Sequence, residues 1–158
     1  MCNSLFNFCY GVIPFVAPEI FNGNTPTKES DICSFGIVMW MLLAGVRPYC
    51  DRPNKQLIQE ICLGLRPSVV NGTPPVFFSL MIQCLDANPS NRPTASQLNE
   101  CLGNWVIAIC NNPDPSDLSN QFDAAEETKF SNLENSNFNT FSNHSKAIYF
   151  SRPLWLID

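Results

Sequence analysis

The sequence predicts a mainly α domain, and three observations carry that prediction. Four apolar segments between Ser30 and Ile109 set their large side chains at helical spacing. Pro and Gly turn signals separate these segments, and capping residues stand at their starts. One segment is apolar around nearly its whole circumference, which requires burial on all sides.

That segment comes first. Ser30 and Asp31 are good N-terminal caps for a helix running through Leu43, and Gly45 suits its stop. Ile32, Phe35, Ile37, Val38, Met39, Trp40, Leu42 and Leu43 leave it no polar face, so it is expected to form the core. A second helix over Asn54–Leu63 puts Leu57, Ile58, Ile61 and Cys62 on one stripe. The third, Pro75–Leu85, carries Phe77, Phe78, Leu80, Met81, Cys84 and Leu85. A fourth opens at Thr94 with Gln97 three residues on, the spacing of a capping box. Its stripe is Leu98, Cys101, Leu102, Trp105 and Ile109, and Asn111-Asn112-Pro113 ends it.

Near Asn111 the composition shifts to Asn and Ser with isolated aromatics. Pro115–Phe130 predicts one amphipathic helix, with Leu118, Phe122, Ala125 and Phe130 on one side. Its run Gln121–Lys129 reads either as a helix laid against the domain or as a solvated acidic strip. Ser131–Ser145 reads as flexible. The last apolar group, Ile148, Tyr149, Phe150, Leu154, Trp155 and Leu156, is either a docking strand or an exposed end.

Composition narrows the function classes. The chain has 158 residues, 45% of them hydrophobic and only 15% charged, with a formal net charge of −5. Nine Lys plus Arg against fourteen Asp plus Glu argue against a broad nucleic-acid surface. A single histidine, His144, excludes a site needing two imidazoles. The longest apolar stretch, Ile37–Val46, is half of the roughly 20 residues a membrane span needs, so no membrane partner is expected. No basic leader precedes an apolar run at Met1, so a secretory signal is not supported. The eight cysteines include no Cys-x-x-Cys pair, which argues against zinc. Cys62, Cys84 and Cys101 lie on apolar stripes and read as buried thiols, implying a reducing, cytoplasmic compartment.

Three clusters then occur in a fixed order. Gly11-Val12-Ile13-Pro14-Phe15-Val16-Ala17-Pro18-Glu19 comes first, Ser30-Asp31-Ile32-Cys33-Ser34-Phe35-Gly36 second, and Asn91-Arg92-Pro93-Thr94 third. This arrangement resembles the C-terminal lobe of eukaryotic protein kinases over Tyr10–Trp105. The first cluster is similar to the family's Gly-Thr-x-x-Tyr-x-Ala-Pro-Glu segment, which closes the activation loop. The second is similar to the start of its central buried helix, and the third to the arginine before its last helix. The Gly-Val-x-Pro-Phe variant and Asn91-Arg92-Pro93 most resemble the tyrosine-kinase-like group, most of which phosphorylates serine and threonine. The fold implied is the helical C-terminal lobe of a protein-kinase-like fold without the N-terminal β lobe. On that basis residues 1–110 form a partial kinase domain and 111–158 a tail.

The resemblance assigns roles residue by residue. Gly11, Val12, Ile13, Pro14 and Phe15 form a substrate-docking segment. Glu19 and Arg92 form a buried ion pair tying that segment to the lobe; read by themselves, they favour ordinary surface charges, since buried charges are rare. Asp31, by itself a helix cap, takes the place of an inward-pointing aspartate that anchors the catalytic loop. Phe15 stands where the family usually has Tyr, and Val12 where it usually has Thr. Trp40 and Trp105 are core residues.

Phosphoryl transfer needs held phosphates, metal ligands and a group that orients the nucleophile. The 158 residues contain no Gly-x-Gly-x-x-Gly, Val-Ala-x-Lys, His-Arg-Asp or Asp-Phe-Gly motif. Asp51, Asp86 and Asp117 read as solvated loop acids. ATP and Mg belong to the complete family, and no catalytic, cofactor or metal residue is assigned in this chain. Three readings follow. The first is a C-terminal fragment of a protein kinase, inactive alone, whose partners are a protein substrate or the N-terminal kinase portion. The second is a stand-alone, pseudokinase-like interaction module. The third is an unstable product whose central helix exposes an apolar face.

Overall fold

The computed structural model describes residues 10–111, 116–135 and 144–154. In chain order they form β1 (Tyr10–Gly11), a 3₁₀ turn (Ile13–Phe15), α1 (Pro18–Phe21), α2 (Lys28–Ala44) and α3 (Asn54–Cys62). There follow α4 (Pro75–Cys84), a 3₁₀ turn (Pro89–Asn91), α5 (Ala95–Val106) with a π turn (Ile107–Asn111), α6 (Asp117–Asn135) and β2 (Arg152–Pro153). The fold is mainly α, as expected. Among the described residues the two strands are two-residue pieces, paired antiparallel with Tyr10 opposite Pro153 and Gly11 opposite Arg152. No helix of the described residues is long and apolar enough to cross a membrane.

The central helix begins earlier than its sequence suggests. Thr27, rather than Ser30 or Asp31, is the N-cap: its hydroxyl accepts from the Ser30 N–H at 3.3 Å, and the Ser30 hydroxyl accepts from the Thr27 N–H at 2.9 Å. A serine at the third position thus completes a capping box where Glu or Gln is the usual partner. Gly45 closes the helix in the left-handed region at φ 66°, its N–H donating to the Met41 carbonyl.

The expectation of burial on every side is only partly met. Ile32, Cys33, Ile37, Met39 and Trp40 are core, whereas Leu42 is 71% exposed. The helix packs on α4 and on the two 3₁₀ turns, and these cover only part of its circumference. At its closest approach to α4, a Cβ on Gly36 would lie 2.8 Å from Leu85 Cδ2 and 3.0 Å from Cys84 Cβ. A side chain there would force Leu85 or the helices to shift.

The remaining stripes sort in the same way. Leu57 and Ile61 of α3 are buried and Ile58 half-buried, but Cys62 is exposed. Its place on the apolar stripe therefore did not bury it. Cys33, Cys50 and Cys84 are buried free thiols, and burial pushes Cys84 up to about 11. Leu98 and Trp105 of α5 are core, while Ile109 is exposed because the wider π turn rotates it off the 3.6-residue stripe. The expected stop at Asn112-Pro113 and the end Trp155-Leu156 lie outside the described residues, as do Cys2 and Cys9.

The amphipathic helix forms and lies against the domain. Ser116 and Ser119 build a hydroxyl capping pair at its start, with Ser119 N–H to Ser116 Oγ at 3.1 Å. It continues to Asn135, into a stretch expected to be flexible. Ala125 is buried, and Leu118 and Phe122 pack on the core. Trp105 stacks on Phe77 at 5.8 Å and meets Phe122 edge-on at 5.7 Å, joining α5 to α4 and α6. Gln121 Oε1 also accepts from the Val76 N–H at 3.1 Å, capping α4, whose own N-cap residue Pro74 makes no side-chain bond.

Two glycine substitutions should therefore move stability in opposite directions. Gly36→Ala is expected to destabilise by about 1–3 kcal/mol through overpacking against Leu85 and Cys84. Gly103, in the interior of α5, has nothing within 4 Å of an added Cβ. Gly103→Ala should stabilise by about 0.5–1 kcal/mol through helix propensity. Urea unfolding midpoints of the two variants check both signs.

Candidate functional site

The segment Gly11–Phe15 is shaped by its own backbone. Gly11 is extended, Val12 precedes the turn, and the Phe15 N–H donates to the Val12 carbonyl at 2.9 Å. Pro14 sits in the first turn, where its missing N–H costs nothing. From α2, the Ser34 hydroxyl donates to the Phe15 carbonyl at 2.6 Å and fixes the end of the segment.

The five residues expected to act as one docking segment face two ways. Ile13, at 1% exposure, and Pro14 are buried and point into the lobe. Gly11, Val12 and Phe15 line an open cleft of about 450 Å³, together with Ser30, Asp31 and Leu154. A five-residue run through a 3₁₀ turn cannot keep all its side chains on one face.

Asp31 is exposed in the first turn of α2 and forms part of the cleft wall, and the sequence holds no His-Arg-Asp loop for it to anchor. With Thr27 as the cap, Asp31 is a helical residue whose charge is favourable near the helix start.

Glu19 and Arg92 are brought together across 73 residues of chain. Arg92 Nη1 donates to Glu19 Oε1 at 2.6 Å and Nη2 to Glu19 Oε2 at 2.9 Å, the two-pronged geometry that Lys cannot reproduce. The Arg92 side chain is 0% exposed and that of Glu19 11%. Arg92 Nη1 also donates to the Glu29 carbonyl and Nε to the Asp86 carbonyl, both at 2.9 Å. Burial pushes the Glu19 carboxyl up, but the Arg92 hydrogen bonds and charge outweigh it, and the carboxyl stays below its ordinary value. Burial opposes the Arg92 charge too, and Glu19 more than compensates.

A second arginine escaped sequence reasoning. Arg66 Nε donates to the Leu85 carbonyl at 2.7 Å, and Nη1 donates to the Leu65 and Ile61 carbonyls. It ties the loop after α3 to the end of α4. The only signal was its position after a Gly-Leu turn, which any surface arginine shares.

The cleft wall is mostly apolar. Its one ionisable wall group besides Tyr10 is Asp31, and no Lys or Arg lines it. Among the described residues no three His, Cys, Asp or Glu converge as metal ligands. These residues do not fit a nucleotide triphosphate or its Mg²⁺, which need cations or backbone nests around phosphate and clustered oxygen ligands.

Comparison with known proteins places the chain in a family. The family model "Protein tyrosine and serine/threonine kinase" matches residues 9–102. "Probable serine/threonine-protein kinase drkA" of Dictyostelium discoideum is 37% identical over 89 residues, covering 56% of this chain and 14% of that protein. "Tyrosine-protein kinase Fer" of Rattus norvegicus is also 37% identical over 89 residues, 56% of this chain and 11% of its own length. "Dual specificity protein kinase splA" of Dictyostelium discoideum is 35% identical over 89 residues, 56% of this chain and 4% of that protein. The chain thus spans a small part of each relative.

Removing one side of the ion pair leaves the other charge buried, so Arg92→Ala and Glu19→Gln should each cost about 3–5 kcal/mol. The pH dependence follows from the lowered Glu19 carboxyl. Its stabilisation is fully present above the ordinary value of 4.5 and is lost as pH falls through the lower folded value. The stability gap between wild type and Glu19→Gln should therefore shrink on acidification below that value, as read by urea unfolding. A gap independent of pH contradicts the pairing.

Proposed function

The chain belongs to the protein tyrosine and serine/threonine kinase family, and from that premise we propose that it is the C-terminal lobe of a protein kinase of the tyrosine-kinase-like group. In its complete form the kinase transfers phosphate from ATP, with Mg, to serine or threonine of a protein substrate. Residues 1–110 belong to that lobe and 111–158 are its tail. The observation that carries the reading is the Glu19–Arg92 pair. It joins the Ala17-Pro18-Glu19 segment to the Asn91-Arg92-Pro93 turn and holds the Gly11–Phe15 segment on the lobe. The names of two relatives, one serine/threonine and one dual-specificity, support the substrate class.

Within this reading, Gly11, Val12 and Phe15 meet the protein substrate, while Ile13 and Pro14 fasten them from beneath. Asp31 serves as a wall group of the same face. The chain by itself is inactive: its sequence holds none of the motifs that bind nucleotide, hold Mg or orient the hydroxyl nucleophile. Those groups come from the N-terminal kinase portion, which is the first partner of this lobe. The buried free thiols Cys33, Cys50 and Cys84 support a reducing, cytoplasmic setting.

A non-catalytic, pseudokinase-like interaction module is the second reading, favoured by a well-buried core that includes Leu57, Met81 and Cys84. A thermal-shift and phosphotransfer assay with Mg-ATP tests both. The 158-residue chain should show neither a rise in Tm nor phosphate incorporation into a Ser/Thr peptide, since a ligand stabilises only a state that binds it. A kinase read from the complete coding sequence should show both. A Tm rise in the 158-residue chain overturns its inactivity. A full-length transcript lacking His-Arg-Asp and Asp-Phe-Gly overturns the kinase reading in favour of the module.

A further inference from the structure

We propose that the chain's own C-terminal segment, His144–Leu154, is a displaceable occupant of the strand edge beside the docking cleft and so regulates access to that edge. The inference rests on the reading of Gly11, Val12 and Phe15 as a docking face. Leu154 is 7% exposed and joins the core cluster, lying within 3.7 Å of a Cβ position on Gly11. The two residues before it add a strand to that face, Arg152 opposite Gly11 and Pro153 opposite Tyr10. Strand addition with one apolar side chain in a pocket is how a sheet edge takes an extended peptide. The backbone edge at Tyr10–Gly11 that an incoming strand would use is therefore paired in cis, with Leu154 forming one wall of the open cleft beside it.

A tether holds the segment beside the cleft. The His144 N–H donates to the Cys50 carbonyl at 2.7 Å, and Ile148 exchanges bonds with the Asn54 side chain at 3.3 and 3.5 Å. The Tyr149 hydroxyl donates to the Pro48 carbonyl at 2.7 Å, and its ring lies under the Arg47 guanidinium at 5.1 Å. Such a tether raises the local concentration of Leu154 without making its seat permanent.

The grip on the edge itself is weak, which makes release feasible. The ladder has two residue pairs, and Pro153 brings no N–H to it. Between tether and anchor, Phe150 is 64% exposed and Ser151 is exposed. Arg152 Nε is buried without a hydrogen-bond partner, an unsatisfied donor that disfavours the docked state. Few buried contacts around a short strand mark a unit that opens before the core does.

The test is a titration of fluorescein-labelled His144–Leu154 peptide into the full 158-residue chain, wild type and Leu154→Asp. Saturable binding to Leu154→Asp is expected, with apparent affinity for wild type about tenfold weaker, since the cis segment leaves the Tyr10–Gly11 edge free in only a fraction of molecules. A peptide carrying the same Leu154→Asp change should not compete. Equal affinity for the two chains, or no binding to a folded Leu154→Asp chain, overturns the proposal. Should Leu154→Asp fail to fold, Tyr149→Phe, which loses only the hydroxyl bond to Pro48, should bind the peptide more tightly than wild type. Unchanged binding there overturns the proposal too. The titration reads no catalysis, so failed phosphotransfer by the complete kinase would overturn the proposed function and leave this result standing.

Discussion

The structure depends first on the placement of one guanidinium. Arg92 is withdrawn from water, and a buried charge is tolerable only when its donors are met and its charge is balanced. Glu19 balances the charge, and the Glu29 and Asp86 carbonyls accept from Nη1 and Nε. These acceptors come from α1, from the start of α2 and from the turn after α4. Three stretches that are distant in sequence are thereby held in one geometry. Apolar packing alone tolerates small sliding of its elements, whereas a planar fork with fixed acceptors does not.

The rest of the lobe follows this arrangement with similar means. Arg66 ties the end of α4 to the loop after α3 through backbone carbonyls, so both ends of that loop system are pinned by arginine. Between the pins, α2 and α4 meet at Gly36, where the absent side chain lets Leu85 and Cys84 approach. Trp105 then extends the core outward to α6 through Phe77 and Phe122. Polar groups thus set where the elements sit, and apolar burial supplies most of the stabilisation once they are there.

The Gly11–Phe15 segment inherits its form from those constraints. Ile13 and Pro14 are drawn inward by the core, and the same turn leaves Gly11, Val12 and Phe15 at the cleft. Ser34 fixes the C-terminal end of this segment through the Phe15 carbonyl, and Glu19, four residues on, ties the chain to Arg92. A rigidly held edge with an apolar pocket beside it favours extended chains, and the C-terminal segment is the chain nearest to hand.

Much of the lobe was legible in the residues themselves. The four helices, the Thr94–Gln97 capping box, the Gly45 stop and the amphipathic character of α6 rest on interactions within a few positions along the chain. Such local rules can be read from sequence because both partners lie in the same window. The order of the three motifs similarly announced the family and the candidate pair of Glu19 and Arg92. Tertiary structure decided the rest. It turned Asp31 outward and Ile13 and Pro14 inward, exposed Cys62 and Leu42, recruited Arg66, and seated Leu154 against Gly11. In each case the outcome depends on which distant element covers the residue. A side chain's own stripe or turn records that a face is apolar, but not what arrives to bury it.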